Sequence, residues 1–469
     1  MEALKNRPLE STRADGLSIV AASLLQRRTY RLLGGLAAPF GLLRRWQNSR
    51  ALRRRADVYH YIAGRALRGD GHYQPFLRLP TFAGDYCVLL GVEAIRGLMQ
   101  HPRMGQGELV GDGRQFLVIA DALGRMRMSK ERQDAKQKRN IIAHLVSGPE
   151  RFIQTMRQLS EQLATRWWQG ERHFAINDAL GAFTVEVYLR SVMNMQGSLE
   201  GVSQMLEEQV DLLGKAFAYH KPANFNARFD QLKRQLVARI GNDPGLLNTT
   251  DYTERLNAYI DQHYQSIQDE AFATGLNGAV LAGYIAPFPS FVALVYELGQ
   301  HAGYRQALHD ELRSQGEDYS AYIRRDDTLL HACVHEVLRL HPAQPFLFRA
   351  ASCDLMINGH FVKRGTELVA DVYHLLRLTE FWGADAEQFR PERFMEKPER
   401  YRQPFLTYSS GPNNCTGQMF SRYSLKVLLA ELVRAGDWEV SNGLMEHQFH
   451  FALAMKQPVQ IALQERRHA

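Results

Sequence analysis

The chain is poor in cysteine: 469 residues hold four, Cys87, Cys333, Cys353 and Cys415, and no two form a Cys-x-x-Cys pair. That spacing argues against a zinc knuckle, and so few thiols argue against a disulfide framework. A reducing compartment fits this usage, and the cytoplasm is the expected location. The N-terminal region lacks an apolar run of membrane-spanning length. Leu17 to Leu25 reads LSIVAASLL and meets Gln26-Arg27-Arg28 at once, whereas a span needs about 20 apolar residues. No small-residue cleavage site follows it, so it does not read as a secretory signal. Internal repeats and low-complexity linkers are missing too. No stacking or groove-reading motif accompanies the basic residues, so no nucleic-acid partner is expected.

What is present is a basic, core-forming chain. The formal net charge is +7, which suits an acidic partner protein or an anionic membrane surface. Residues 1–55 form an Arg-rich, loosely amphipathic segment, expected either to pack on the body or to lie at a membrane surface. No transmembrane span is expected; peripheral membrane contact stays open. Hydrophobic residues make up 45% of the chain, enough for a large core, and residues 56–469 are expected to form one domain.

Helical periodicity dominates from Arg132 to Arg339, with Ser129-Lys130-Glu131 and Asp251 as helix starts. Within it, Ala271 to Tyr296 carries no charge but holds three glycines and two prolines. Amphipathic helices flank this stretch, so it reads as a long buried central helix, kinked at Pro287 and Pro289. After His341-Pro342 the texture changes. DLMINGHFVKRGTELVADVY alternates around Asn-Gly and Arg-Gly turn signals and reads as short strands; FHFALAMKQPVQIAL reads as a hairpin. A helix is expected from Gln418 to Ala435. The fold class is mainly α with a small β region.

Three constellations carry chemistry. Cys333 is not one of them, because it lies on an apolar helical stripe and reads as core. In HEVLRLHP, Glu336 and Arg339 stand three residues apart and share a helix face. In FRPERF, Arg393 is placed to reach a buried carboxylate; read alone, the segment is a surface turn around Pro391. In YSSGPNNCTGQMF, Gly411 and Gly417 flank Cys415, where glycine lets a backbone approach a flat ligand. A thiolate just ahead of a helix is stabilised by the macrodipole and free N–H groups, and it suits an iron centre.

In this order and spacing, residues 325–435 resemble the cytochrome P-450 family of heme-thiolate enzymes. The family's Glu-x-x-Arg matches Glu336 and Arg339, and its Pro-Glu-Arg-Phe matches Pro391 to Phe394. Its Phe-x-x-Gly-x-x-x-Cys-x-Gly signature matches Tyr408, Gly411, Cys415 and Gly417, with Tyr in place of Phe. The resemblance implies a cytochrome P-450-like prism with a long central helix and a Cys-ligand loop. It implies heme b (iron protoporphyrin IX), with Cys415 as the axial iron ligand. Glu336, Arg339 and Arg393 would be a structural network holding the loop. Arg349 would meet one heme propionate. The family's other propionate position, two before the cysteine, is Asn413 here, an amide. A further family helix aligns with DAKQKRNIIAHL, which puts Asp134 at its aromatic position and Lys138, with Arg139 beside it, at its cation.

One departure bears on mechanism. The family's central helix carries Ala-Gly-x-(Asp/Glu)-Thr-Thr, whose acid and alcohol deliver protons for oxygen activation. Here the stretch is Ala282-Gly283-Tyr284-Ile285-Ala286-Pro287, so the acid has become Ile285 and the alcohol Ala286. Tyr284 and Ser290 are the nearest polar side chains. The expected activity is monooxygenation of an apolar or amphiphilic small molecule, with O2 and electrons from a separate electron-transfer protein: a ferredoxin, a flavodoxin or a reductase. A basic face around Lys138, Arg139, Arg393 and Arg400 would dock it. Two alternatives stand beside it: a peroxygenase or heme-thiolate isomerase or dehydratase, which the missing pair favours, and a non-catalytic heme or carrier-binding protein.

Overall fold

The structure is a computed structural model and describes residues 76–80, 85–100, 149–217, 223–247, 260–261, 266, 269–315, 318–351, 354–357, 359–364, 366–396, 398–402, 404–410, 414–443, 446–450 and 452–464. The expectations for residues 1–55, Ser129 to Glu131, Asp134, Lys138, Arg139, Asp251, Cys353, Gly411 and Asn413 lie outside these residues.

The helical expectation holds for the described middle of the chain. Helices α1 (Val92–Gln100), α2 (Pro149–Gln169), α3 (Asn177–Ser191), α4 (Val202–Phe217) and α5 (Phe225–Gly241) lead to the central pair α6 (Glu270–Ile285) and α7 (Pro287–Gln300). α8 (Ala302–Ser314), α9 (Tyr319–Arg324) and α10 (Leu329–Leu340) follow, and α11 (Gln418–Ala435) runs just after the cysteine loop. By length and composition Phe272–Gln300 could cross a membrane. It is core instead: from Phe272 to Gly299 every residue is buried or half-buried except Ala282. The helix breaks only at Ala286, where Pro287 and Pro289 each lack an N–H for the helical ladder. Gly283 lets α6 lie against α3, since a Cβ there would sit 2.2 Å from a Tyr188 ring carbon.

The β region is small. Strands β1 (Phe76–Pro80) and β2 (Asp85–Leu89) pair antiparallel. β3 is His173–Ala175, and β4 is Phe346–Ala350. β5 (Leu355–Ile357) and β6 (His360–Val362) make the hairpin read from Asn358-Gly359, and Gly359 takes φ +76, which glycine tolerates without strain. β7 (Glu367–Asp371) runs parallel to β2 and antiparallel to β4, with Arg349 opposite Leu368, so the sheet order is β1-β2-β7-β4. The last segment differs from the single hairpin expected. Strands β9 (His447–His450) and β10 (Ala452–Met455) pair with each other, while β11 (Gln460–Gln464) joins β3 and β8 (Asp437–Val440). Pro458 lies between β10 and β11, and β11 buries Ile461 and Leu463 on one face, which a two-stranded hairpin could not cover.

One main core joins α2, α3, α6, α7, α10 and α11. Phe420, two residues into α11, meets Phe152 of α2 and Tyr188 of α3 at ring-centre distances of 5.5 and 5.3 Å. The start of α11 is therefore fixed from two sides, and with it the chain just upstream. Cys333 is fully buried in this core and burial pushes its thiol well up, in keeping with a packing role.

Candidate functional site

The site is built outward from Glu336. Its spacing on α10 puts Arg339 one turn on, and the two side chains form a bidentate pair with both N–O distances 2.8 Å. Arg393, in the helical turn Arg393–Glu396, donates Nε to Glu336 Oε1 at 2.9 Å, and the Arg390 N–H donates to the same oxygen at 2.9 Å. The three charged side chains are fully buried. Their remaining N–H groups go to backbone: Arg339 to the carbonyls of Leu376 and Ala386 at 2.8 and 2.6 Å, Arg393 to those of Trp382 and Asp385 at 2.9 and 3.1 Å. Isolated buried charge is costly, and complete pairing is what makes this arrangement tenable. It pins the segment from Leu376 to Arg393 onto α10. Because Arg393 is buried, it does not belong to a docking face; Arg400 is exposed.

The cysteine loop ends at α11. Cys415 is exposed, whereas Cys87 and Cys333 are buried. The Cys415 N–H donates to the Tyr408 carbonyl at 2.9 Å, and Ser409 takes a left-handed φ of +64. The Tyr408 hydroxyl donates to Ser421 on the first turn of α11 at 3.2 Å, which fastens the loop to the helix; burial pushes that phenol well above its usual range. Gly417 has φ −85 and is not required by backbone conformation. A Cβ there would meet nothing nearer than the Cys415 sulfur at 3.8 Å. Among the described residues no neighbour excludes a side chain there, and the glycine leaves room beside the sulfur.

On the central helix, Ala282 is exposed and Ala286 half-buried, an opening in an otherwise packed element. Tyr284 does not share that face: successive residues turn by about 100°, which sets it about 160° from both alanines. It packs beside Gly181 of α3, stacks on Phe288 at 5.6 Å, and donates to Glu207 at 3.3 Å. Burial, and then the Glu207 charge, raise its phenol well above the usual value. Tyr284, one of the polar side chains nearest the altered acid–alcohol position, thus packs behind the opening. Ser290 is buried and spends its hydroxyl proton on the Ala286 carbonyl at 2.9 Å.

Arg349 is buried on β4. Sequence reasoning missed a second polar cluster. His341, at the end of α10, contacts Glu297 of α7 through Nε2 at 2.6 Å and His447 of β9 through Nδ1 at 2.7 Å. Burial, and then His341, hold the His447 imidazole down to about 2, so it stays neutral and the cluster ties the β9–β10 hairpin to the core helices. No periodic signal pairs residues so far apart in sequence. The Arg390 amide was also missed, because a backbone donor leaves no trace in residue type.

Residues 289–463 match the family model "Cytochrome P450". The chain is similar to the cytochrome P450 monooxygenase aclC of Aspergillus oryzae, 34% identical over 176 residues that cover 37% of this chain and 34% of that protein. It is similar to the indoleacetaldoxime dehydratase of Arabidopsis thaliana, 35% identical over 144 residues, 29% of either chain. It is also similar to human cytochrome P450 4F12, 25% identical over 264 residues, 52% of this chain and 50% of that one. The match spans about a third of the length of the first of these relatives. Over residues 289–463 the chain is similar to the cytochrome P450 family, whose cofactor is heme b.

The residues present fit that cofactor: an exposed thiol just ahead of a helix, a glycine whose missing side chain leaves room beside the sulfur, and a helix face of small residues at an opening. Cys415 would hold the iron and Arg349 a propionate. A planar guanidinium pairs with a carboxylate through two bonds, which an ammonium cannot do. We therefore expect Arg349→Lys to retain the fold but release heme faster, measured as heme transfer to an excess of an apo-globin scavenger. An unchanged rate would take Arg349 out of the propionate site.

Proposed function

We propose that the chain is a heme-thiolate monooxygenase acting on an apolar or amphiphilic small molecule, with electrons from a separate redox protein and with a proton-bearing group supplied by the substrate. One observation carries this reading. The opening on the central helix is lined by Ala282 and Ala286, and neither Ile285 nor Ala286 has a proton to give. Bound heme supplies the oxygen chemistry, and a thiolate ligand favours O–O cleavage. The chain's own residues hold the ligand loop, exclude water with apolar walls, and leave space for a substrate group beside Ala286. A general acid must stand within hydrogen-bond reach of the proton's destination, directly or through one water, and a positioned donor contributes about 10²–10⁴ in rate. The substrate can bring that donor itself. Arg400 remains an exposed cation for an acidic redox partner.

The test compares product formed per electron for a substrate and for an analogue lacking its polar group. The analogue should bind yet release most electrons as hydrogen peroxide, and Ala286→Thr should partly restore its coupling. Equal and tight coupling of both compounds in the native protein would sink substrate assistance.

A second reading is favoured by the same Ile285 and Ala286: a dehydratase, isomerase or peroxygenase, none of which needs protons delivered to reduced oxygen. The resemblance to an oxime dehydratase supports it. Turnover with no reductant would select this reading, and strict dependence on reductant and O2 would select the first.

A further inference from the structure

His331 and His335 stand one turn apart on α10, and both are buried. Their rings stack at 3.8 Å with 19° between the planes. His335 Nδ1 lies 3.0 Å from the His331 carbonyl, which can only accept, so that nitrogen carries the proton and a neutral ring leaves Nε2 bare. The His335 ring also meets Phe394 at 5.5 Å and Phe405 at 5.1 Å, and those two rings meet at 5.4 Å. Phe394 follows Arg393 of the ion network, and Phe405 lies three residues before Tyr408, whose carbonyl holds the Cys415 N–H. One imidazole thus seats the root of the cysteine loop. The charges around the stack do not suit an imidazolium. Lys426 of α11 is buried and donates to the Ile323 and Arg325 carbonyls at 2.9 and 2.5 Å; burial holds it down to about 8, and below that it is a cation. Its charge and that of Arg422, also on α11, press on both rings. Asp326 lies 2.9 Å from His331 Nδ1, but it is mostly exposed and lies 3.7 Å from Lys426 as well. Asp327 also favours a charged His331, yet it is held by Arg325. Glu336 and Arg339 of α10 are spent on each other and on Arg393. Burial, and then Lys426 and Arg422, hold His331 down to about 3; burial, and then His331, hold His335 well below the usual imidazole range.

We infer that the His331–His335 stack is an acid-operated latch: neutral, it seats Phe405 and the cysteine loop, and protonated, it releases them, so that thiolate ligation is lost before the fold unfolds. The latch rests on Cys415 as the heme ligand, whichever reaction the heme performs. A charge among apolar rings and like charges is not tolerated without a partner. Departure of Phe405 uncovers the His335 ring to water, while α10 itself stays pinned through Glu336 and Arg339. Both imidazoles bind a proton more weakly with the loop seated than with it free, where the ordinary value is about 6.5. The stabilisation they give the seated loop is therefore complete above about pH 6.5 and is lost as the pH falls below it. In that window each histidine raises the ratio of free to seated loop about tenfold per pH unit, and the pair about a hundredfold.

The experiment titrates the heme-loaded full chain from about pH 7.5 to about pH 4.5. The red-shifted band of the reduced, carbon-monoxide-bound protein reads ligation, and far-ultraviolet circular dichroism reads the fold. The native band should be lost below about pH 6.5, and at a higher pH than the helical signal. His335→Phe keeps a ring against Phe394 and Phe405 but takes no proton, and His331→Gln removes the other titrating group. Each variant should lose the band at a lower pH than the native protein and with about one proton fewer taken up. His331→Gln carries the test alone if His335→Phe fails to fold. Equal midpoints and proton counts in the native protein and the variants overturn the latch and place the acid sensitivity at the thiolate itself. Loss of band and helical signal together in the native protein overturns it too, as does a native band that survives the whole titration. A native protein with no red-shifted band at the starting pH overturns the assignment of Cys415 and the latch with it, which tells the two failures apart.

Discussion

Replacing Cys415 with alanine should abolish the strongly red-shifted Soret band that reduced, carbon-monoxide-bound heme shows when its other ligand is a thiolate. Cys415 is exposed at the end of a loop, three residues ahead of α11, whereas Cys87 and Cys333 are buried away from it. Burial pushes the Cys333 thiol well up, which keeps it protonated and unfit as a thiolate ligand. Cys415→His offers a nitrogen at the same place and should give a heme protein with an ordinary, unshifted carbon-monoxide band. That variant separates loss of the ligand from loss of the fold. A red-shifted band that persists in Cys415→Ala would assign the thiolate elsewhere. The effect is all-or-none because, among the described residues, Cys415 is the one thiol at the loop; the Met99 sulfur, which meets the Ser409 hydroxyl at 3.7 Å, is a thioether and forms no thiolate.

What could be read from the sequence follows the range of each signal. Helix periodicity is local, so α10 and α11 were legible, and α11 begins and ends where its apolar pattern and Gly436 place it. Glu336 and Arg339 were legible as a pair because three residues is nearly one turn. Arg393 needed the Pro-Glu-Arg-Phe resemblance; on spacing alone it reads as part of a surface turn, and its complete burial comes from packing. The Arg390 amide and the carbonyls that receive Arg339 and Arg393 were not legible, since every residue has such groups and only the fold selects among them. Tyr284 shows a different failure. Residue type put a hydroxyl near the departure from the family pattern, but helical phase puts it on the opposite side from Ala282, where it serves Glu207. The parallel pairing of β2 with β7 joins residues far apart in sequence, and alternation within either strand could not reveal its partner.

Glu336→Ala should yield little folded, heme-loaded protein and a sharply lower melting temperature in whatever is recovered. The carboxylate accepts four hydrogen bonds: two from Arg339, one from Arg393 and one from the Arg390 N–H. Breaking a buried pair by removing one partner costs about 3–5 kcal/mol, because the charge left behind is uncompensated. Domains are stable by only about 5–15 kcal/mol, so this is a large share of the total. The stoichiometry makes the prediction sharper. One carboxylate serves two guanidiniums, so its loss leaves two buried cations side by side, with the partly exposed Asp385 carboxylate, 3.5 Å from Arg393, as the one remaining anion paired with either among the described residues. Arg339→Met removes one cation and leaves Glu336 paired with Arg393. The charge balance therefore predicts that Glu336→Ala is more damaging than Arg339→Met, although Arg339 makes five hydrogen bonds to the carboxylate's four. Were the network held by hydrogen-bond count alone, the two variants would lose stability about equally. Heme content per chain and calorimetric melting of both, made in parallel, decide between these. A wild-type-like melting temperature and heme content in Glu336→Ala would show that the segment from Leu376 to Arg393 is held by packing, and that the ions contribute nothing.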